Sequence, residues 1–411
     1  MLSRLGFPSI GRHGRFVTAI AVDAVGSGVF MPLSMLFFLA VTPLTLVQVG
    51  AAVSLASAAG LPAGPVIGWL VDRWGAKSVL LTGNLLQAAG FAAYLFVQSF
   101  AAVVLWTVVV TLGRTAFWGS YGNIVAAISL PGERERWFGF LGALRNVGFA
   151  LGGLAAGVAL AVGTDAAFAV VVAANAASYV VAFVLLLAVP RVQPGHAASA
   201  PGTWGTVLAD RRYRMLVLTQ LGYSLALMVL NFAIPVYAVS VLGLPGWITG
   251  AVFVVNTVMV GLGQGLVVSA LTGRLRWRVL VLTQVVFAAS WLLLLLAGRM
   301  PAGPAIAVIL VGSVVYTGGE LLGGPVLAAL GAESAPEALR GRYLSLIQLA
   351  WNVAGTVAPV TYAALLDRGP TVVWVALLGV SAAGALAAAR LGVVLPQAAQ
   401  PVTNQADPVA A

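Results

Sequence analysis

The stretch GWLVDRWGAK, residues 68–77, is a short charged segment between two long apolar segments. Asp72, Arg73 and Lys77 lie close together here, in a chain of 411 residues of which only 8% are charged. Gly75 lies between them, at a position where a tight reversal can require a positive φ, which glycine adopts without steric cost. The stretch therefore predicts a turn that joins two helices.

The segments around this turn indicate a protein that crosses a membrane many times. Hydrophobic residues make up 61% of the chain and the mean hydropathy is +1.03, whereas soluble domains are about one-quarter charged. A helix needs about 20 apolar residues to cross a bilayer, and helices in lipid pack through small residues such as the 48 glycines here. A β-barrel would instead show alternating segments of about 10 residues. We therefore predict about twelve helices, at 16–40, 45–70, 77–98, 100–129, 137–163, 166–189, 215–242, 247–271, 277–297, 303–331, 341–366 and 371–394.

The basic residues indicate how these helices are oriented. If the N-terminus is cytoplasmic, 17 of the 21 Lys and Arg residues fall on the cytoplasmic side, as the positive-inside rule requires. This predicts an even number of helices with both termini in the cytoplasm. It also explains the net charge of +10 through topology and contact with anionic membrane lipid, so nucleic acid is not expected as a partner. One Lys against twenty Arg suggests a GC-rich bacterial genome, and hence the bacterial plasma (inner) membrane.

The chain consists of two related halves. A shift of 206 residues aligns Thr111 with Thr317, Gly113 with Gly319, Arg134 with Arg340, Arg136 with Arg342, and Asn146 with Asn352. Such a weak parallel repeat is expected of two six-helix halves related about the membrane normal. We predict an N-terminal six-helix bundle at 1–190, a central cytoplasmic loop at 191–214, a C-terminal six-helix bundle at 215–396 and a disordered cytoplasmic tail at 397–411.

The turn at 68–77 resembles the signature loop of the major facilitator superfamily of transporters. The resemblance rests on the pattern Gly-x-x-x-Asp-Arg-x-Gly-x-Lys between the second and third predicted helices. It departs from the family pattern at Ala76, where a second basic residue is usual. The residues that match this conformational-switch loop are Gly68, Asp72, Arg73, Gly75 and Lys77.

Two further stretches are similar to superfamily members that export drugs. Residues 23–32 have an acid, two glycines and then a proline, like the first helix of efflux proteins. The run GFALGG at 148–153 resembles the fifth-helix glycine motif of antiporters, although it lacks the usual proline. The resemblance implies an all-α integral membrane fold with 12 transmembrane helices in two pseudo-symmetric six-helix bundles. It also implies the 12-helix drug/proton antiporter branch, and a protein that works as a monomer.

Four ionisable residues are predicted to lie inside the membrane. A charge at a helix centre costs about 2.5–3.5 kcal/mol on insertion scales, so each needs a partner or a water-filled cavity. The repeat alignment places Arg114 and Glu320 at equivalent positions on the fourth and tenth helices. We expect Arg114 to pair with Asp23 and Glu320 to be the main protonatable acid, so that these three couple transport to a proton gradient. Arg145, beside Asn146, is expected to have a structural or coupling role. The alternative for all four charges is a set of ion pairs that hold helices in register.

A substrate cavity is expected between helices 1, 4, 7 and 10. Most of the side chains predicted to line it are aromatic, and aromatic surfaces with few polar groups suit amphipathic organic molecules. Each of these residues can alternatively face lipid or pack inside the protein. The candidates are Phe30, Phe117, Trp118, Tyr121, Asn231, Phe232, Tyr237 and Tyr316.

The resemblance to the superfamily implies a secondary active transporter with a small-molecule substrate. We favour proton-coupled efflux of amphipathic drugs or natural products by alternating access. The alternatives are an uptake carrier or uniporter for a small metabolite, including an anion bound by Arg114, a lipid flippase of the same fold, and a receptor that transports nothing.

An enzyme is not expected. The chain has no cysteine, its two histidines lie in predicted cytoplasmic segments, and the spans contain no paired acids. Without a P-loop, ATP-driven pumping is not expected either. No metal or cofactor is expected, and the proton gradient is the predicted driving force.

Overall fold

The computed structural model describes residues 7–30, 34–130, 132–162, 164–189, 203–245, 247–395 and 399–403. These residues form helices almost throughout, and the extended structure among them amounts to one isolated bridge. The all-α membrane fold predicted from the apolar segments is therefore confirmed.

The N-terminal half contains seven of the described helices, and side chains fix where several of them begin. Thr45 forms a capping box with Gln48 at the start of α3, and Ser99 and Thr164 cap α5 and α7. These caps pair N–H groups that have no partner within the helix. The helices are α1 (Gly14–Phe30), α2 (Ser34–Val41), α3 (Leu46–Trp74), α4 (Ala76–Tyr94), α5 (Phe100–Ile128), α6 (Arg134–Val162) and α7 (Asp165–Leu187), preceded by a 3-10 turn at Gly11–His13.

The C-terminal half contains the remaining helices. The seventh predicted segment is interrupted at Phe232, where the backbone leaves the α-helical region with φ −122° and ψ −50°. The helices are α8 (Trp204–Ala209), α9 (Arg211–Asn231), α10 (Ala233–Val236) with a π turn at Tyr237–Val241, α11 (Trp247–Ala270), α12 (Arg276–Ala297), α13 (Ala302–Glu333), a 3-10 turn at Glu337–Leu339, α14 (Arg340–Asp367) and α15 (Pro370–Val394).

Ten helical segments among the described residues are long and apolar enough to cross a membrane. The two predicted segments that are not among these ten are 16–40 and 77–98. The first corresponds to α1 and α2, which have 17 and 8 residues, and the second to α4, which has 19. A multi-pass membrane protein is thus confirmed, whereas the number twelve stays a prediction.

The buried apolar residues form separate cores on the two sides of the central loop. Two clusters are built from residues 7–189 and a third from residues 207–402. Between these cores, α3 packs on α14 and α6 packs on α11. Arg134 and Arg340 begin α6 and α14, at the equivalent positions given by the repeat. This arrangement is what two related bundles would produce, although the exact domain boundaries stay predictions.

The predicted central loop is shorter than expected. Its residues 191–202 lie outside the described residues, but α8 lies within it and α9 begins at Arg211 rather than at 215. The earlier start follows from Asp210, whose carboxylate accepts the N–H groups of Arg212 and Tyr213 and so caps the helix.

The predicted disordered tail is wrong for residues 399–403. These residues lie against the loop between α11 and α12, and Val402 is only 1% exposed. Burial of an apolar side chain together with backbone hydrogen bonds is sufficient to order a short segment. The other tail residues, 397, 398 and 404–411, lie outside the described residues.

Candidate functional site

Asp72 joins the two halves where α3 ends and α14 begins. Its Oδ1 accepts the N–H of Gly341 at 2.6 Å, and its Oδ2 accepts the N–H of Arg342 at 3.3 Å. The Nε of Arg342 lies 3.5 Å from the same Oδ2. A helix N-terminus presents unpaired N–H groups and a partial positive charge, so a carboxylate is stabilised there. The turn predicted at 68–77 therefore contacts the opposite half of the molecule.

Two glycines of this turn allow close approach and reversal of the chain. Gly75 has a φ of 81°, in agreement with the reversal predicted there. Gly68 lies against α14, where a Cβ atom would be 2.6 Å from the Oγ of Ser345. A larger residue at Gly68 would push α3 away from α14.

The two basic residues of the turn contact their own half in the described structure. The Nζ of Lys77 donates to the carbonyl of Leu187, the last residue of α7, at 2.8 Å and to the carbonyl of Val189 just beyond the helix. A cation is favourable at this position because the last carbonyls of a helix are unpaired. Arg73 is exposed, and its guanidinium lies 5.3 Å from the ring centroid of Trp69.

A second ionic contact joins the halves at the same end of the molecule. Arg276, the first residue of α12, donates from Nε and Nη2 to Oε1 of Glu135 at 2.8 and 2.5 Å. Its Nη1 donates to Oε2 of Glu333 at 2.5 Å, and Arg134 lies 3.5 Å from Glu333. Glu135 and Arg276 are 0% and 1% exposed. We call Glu135, Arg276 and Glu333 the latch, and the end of the molecule that holds it and Asp72 the charged end. The latch was not predicted from the sequence.

Asp23 pairs with Arg145, so the predicted pair between Asp23 and Arg114 is wrong. The Nη1 of Arg145 donates to Oδ2 of Asp23 at 2.7 Å, and both residues are buried. The guanidinium also lies 4.5 Å from the ring centroid of Trp118 and 5.2 Å from that of Phe149, within the range of cation–π attraction. The physical reason is that α1 packs along α6 and α7.

Arg114 is exposed and has no ion-pair partner among the described residues. It lies on the face of α5 that also holds Trp118 and Tyr121, since residues four and seven positions apart share a helix face. Asn146 stays within its own helix, where its amide donates to the carbonyl of Gly142 at 3.0 Å. Of the predicted coupling residues, Arg114 thus remains a cation without an acid beside it.

Glu320 is held by an amide rather than by a cation. Its Oε2 accepts a hydrogen bond from Nδ2 of Asn256 at 2.6 Å, and the same Nδ2 lies 3.2 Å from Oγ1 of Thr317. The hydroxyl of Tyr223 donates to the main-chain carbonyl of Glu320 at 3.1 Å. The described part of the chain shows no ion pair to this carboxylate. Asn256 was missed, although an Asn within the apolar run at 254–260 was an available signal.

Three of the predicted cavity residues are packed in the protein core. Tyr237 and Tyr316 are each 1% exposed, and their hydroxyls donate to main-chain carbonyls. Phe30 is 8% exposed and packs edge-on against Phe91, 4.7 Å between ring centroids. In this conformation these rings do not line a cavity, because protein atoms cover them, and the cavity prediction is corrected for these three.

The other five candidates divide into two groups. Phe117, Trp118 and Tyr121 form an aromatic cluster on α5. Phe117 and Tyr121 are 3% and 8% exposed and belong to the apolar core, so the cavity prediction is corrected for these two as well, whereas Trp118 is half-buried. Asn231 and Phe232 are exposed at the break between α9 and α10. A helix break exposes backbone groups that only a polar cavity or protein can satisfy inside a membrane.

A bundle of apolar helices in two halves, with charges inside it and ionic contacts between the halves at one end, is the architecture of a membrane transporter. The family model described as Major Facilitator Superfamily matches residues 16–359. The chain belongs to this superfamily.

Similar proteins agree with this assignment. The multidrug resistance protein MdtH of Klebsiella pneumoniae (strain 342) is 25% identical over 373 residues, which cover 89% of this chain and 88% of that protein. The protein of the same name from Aeromonas salmonicida (strain A449) is 29% identical over 216 residues, which cover 52% of this chain and 53% of that protein.

Solved structures share the fold. A bacterial homologue of the iron transporter ferroportin in an outward-facing state has a TM-score of 0.69 at 17% identity, covering 93% of this chain and 98% of that one. The E. coli fucose:proton symporter FucP has a TM-score of 0.72 at 14% identity, covering 92% and 98%. The family indicates a transporter rather than an enzyme.

Proposed function

We propose that this protein is a proton-coupled exporter of amphipathic small molecules, such as drugs or natural products, and works by alternating access in the bacterial inner membrane. Both termini are cytoplasmic in this proposal, which places the charged end at the cytoplasmic surface. The multidrug resistance proteins to which the chain is similar support the substrate class. A proton gradient supplies the driving force, and the protein acts as a monomer.

The observation that carries the proposal is the environment of Glu320. Its carboxylate lies within a membrane helix and accepts a hydrogen bond from Asn256, with no ion pair among the described residues. The energy of a carboxylate in such a place depends strongly on whether water reaches it. A conformational change that alternately hydrates and dehydrates Glu320 would therefore bind a proton on one side and release it on the other.

The α5 aromatic cluster supports an amphipathic substrate. The half-buried ring of Trp118 packs edge-on against the buried ring of Tyr121, and Arg114 on the same face is exposed. Flat aromatic surfaces bind organic molecules through burial and stacking, with little demand for hydrogen bonds.

The test is transport by the purified protein in liposomes with an imposed pH gradient. Lipophilic cations, neutral antibiotics and small polar metabolites are screened, and a pH-sensitive dye reports proton movement. We expect gradient-driven transport of amphipathic compounds. In Glu320→Gln the rate of this transport should fall by at least about tenfold, because an amide side chain cannot bind and release a proton as a carboxylate does. Glu337→Gln is the matched control, since Glu337 is an exposed acid at the start of the 3-10 turn that precedes α14.

Two results would contradict the proposal. Normal coupling in Glu320→Gln would remove the proton site, provided that the variant is folded and inserted. Transport indifferent to the gradient, or restricted to polar metabolites, would indicate a uniporter or an uptake carrier, and movement of phospholipid alone would indicate a flippase.

One observation favours a second candidate, a carrier of organic anions. Arg114 is an exposed cation without an acid partner among the described residues, and such a group can bind a carboxylate or sulfonate directly. In that case Arg114→Gln would abolish transport of acidic substrates and spare cationic ones.

A further inference from the structure

Residues 399–403 form a short segment, here called the strap, that pairs with the loop between α11 and α12. The N–H of Gly273 donates to the carbonyl of Val402 at 2.9 Å, and the N–H of Val402 donates to the carbonyl of Arg274 at 2.8 Å. The N–H of Arg276 donates to the carbonyl of Gln400 at 2.7 Å. These bonds fix an antiparallel pairing at Leu275.

Two side chains of the strap anchor it to its own half. Val402 is 1% exposed and belongs to the apolar core of that half. The amide of Gln400 donates to the carbonyls of Gly392 and Leu395, at 2.9 and 3.2 Å, at the end of α15. The strap is therefore attached through both its backbone and its side chains.

The strap also contacts the latch directly. The Nη1 of Arg276 donates to the main-chain carbonyl of Ala399 at 3.0 Å as well as to Glu333. A buried guanidinium needs an acceptor for each of its N–H groups, because an unpaired one costs the desolvation energy of that group. The carbonyl of Ala399 is an acceptor in addition to the carboxylates of Glu135 and Glu333. The carbonyl of Gln400 accepts the main-chain N–H of Arg276 and so fixes the backbone from which the Arg276 side chain extends.

We propose that the strap is a positioning element for Arg276, which holds the guanidinium in its bridge to Glu135 and so sets how readily the two halves separate at the charged end. This proposal rests on the alternating-access part of the proposed function, because the halves must part at this end during transport. It does not depend on the substrate or on proton coupling.

The test measures opening of the charged end without any substrate. The chain contains no cysteine, so a single introduced thiol reports by itself. Ser345→Cys places it between α3 and α14, where the serine is 1% exposed and faces Gly68. A water-soluble maleimide reaches this thiol only when the halves separate, so its reaction rate follows the open fraction of the purified protein in lipid nanodiscs.

The strap is broken by Val402→Pro, which removes the N–H that donates to Arg274 and also replaces the buried valine side chain. We expect the thiol to react about fivefold faster or more, the change that corresponds to the loss of one hydrogen bond. Thr403→Pro is the matched control, because Thr403 is exposed and no backbone bond from its N–H is among those of the strap. Gln400→Ala is a milder second variant that removes two side-chain bonds, for use if the proline prevents folding.

A double-mutant cycle tests whether the strap acts through Arg276. In an Arg276→Gln background the latch is already broken, so Val402→Pro should add no further acceleration. The proposal is overturned if Val402→Pro and Gln400→Ala leave the reaction rate unchanged, if Thr403→Pro has an equal effect, or if Val402→Pro acts additively with Arg276→Gln. If the thiol reaction rates change as expected but the transport assay shows no proton-coupled export, only the proposed function is contradicted.

Discussion

At the scale of single residues, the ion pair of Asp23 and Arg145 accounts for two of the four charges predicted inside the membrane. Each neutralises the other at 2.7 Å, and the rings of Trp118 and Phe149 cover the guanidinium. A pair that is satisfied in this way fits a structural role. Of the four charges predicted inside the membrane, Glu320 and Arg114 are then the two without an ion-pair partner among the described residues.

Asp23→Asn should destabilise the protein by about 3 kcal/mol, because it leaves Arg145 buried without a counter-charge. The measurement is the thermal unfolding midpoint in detergent. The double variant Asp23→Asn with Arg145→Gln should recover part of the loss, since it leaves no uncompensated charge. If Asp23→Asn unfolds like the unmodified protein but no longer transports, Asp23 acts in coupling and the structural role is wrong.

At the scale of helices, α1 and α6 approach so closely that their backbones are in contact. A Cβ atom on Gly152 would lie 2.6 Å from the main-chain nitrogen of Val29 and still closer to the carbonyl oxygen of Val25. Such an approach requires glycine, which is how small residues bring helices together in membranes. The glycine run at 148–153, noted in the sequence for its resemblance to antiporters, thus includes a residue at a contact between helices.

Gly152→Ala should therefore force α1 and α6 apart, with a cost of about 1–3 kcal/mol or more, as for other overpacked sites. Its neighbour offers a matched control, because a Cβ atom on Gly153 would meet nothing within 4 Å. We expect a lower unfolding midpoint and weaker transport for Gly152→Ala, and values near those of the unmodified protein for Gly153→Ala. Equal effects of the two variants would mean that helix propensity, rather than contact with α1, is responsible.

At the scale of the whole molecule, apolar segment length was sufficient to predict ten of the twelve proposed membrane helices, because lipid imposes that length on any helix that crosses it. Contacts between distant helices were not predictable in the same way. Asp23 and Arg145 lie at a similar depth from the same side, which was a usable signal, but the repeat alignment favoured Arg114 instead. Glu135 was missed because it lies between Arg134 and Arg136, in a loop whose charges were interpreted only as a topology signal.

Asp72 is the residue through which the contact between the halves can be tested. It binds the start of α14 across the interface between the halves. Under the proposed alternating access, this contact would stabilise the conformation in which the charged end is closed. Asp72→Asn removes the negative charge that the helix N-terminus and Arg342 favour, and hydrogen bonds to charged groups contribute about 1.5–3 kcal/mol. We expect transport to slow by about tenfold, with the ratio of rates for two different substrates unchanged, because the contacts of Asp72 are with α14.

Arg73→Gln is the control, since Arg73 belongs to the same turn but is exposed and stacks on Trp69. A changed substrate profile at an unaltered rate, or an equal slowing in the control, would mean that Asp72 does not act by closing the charged end.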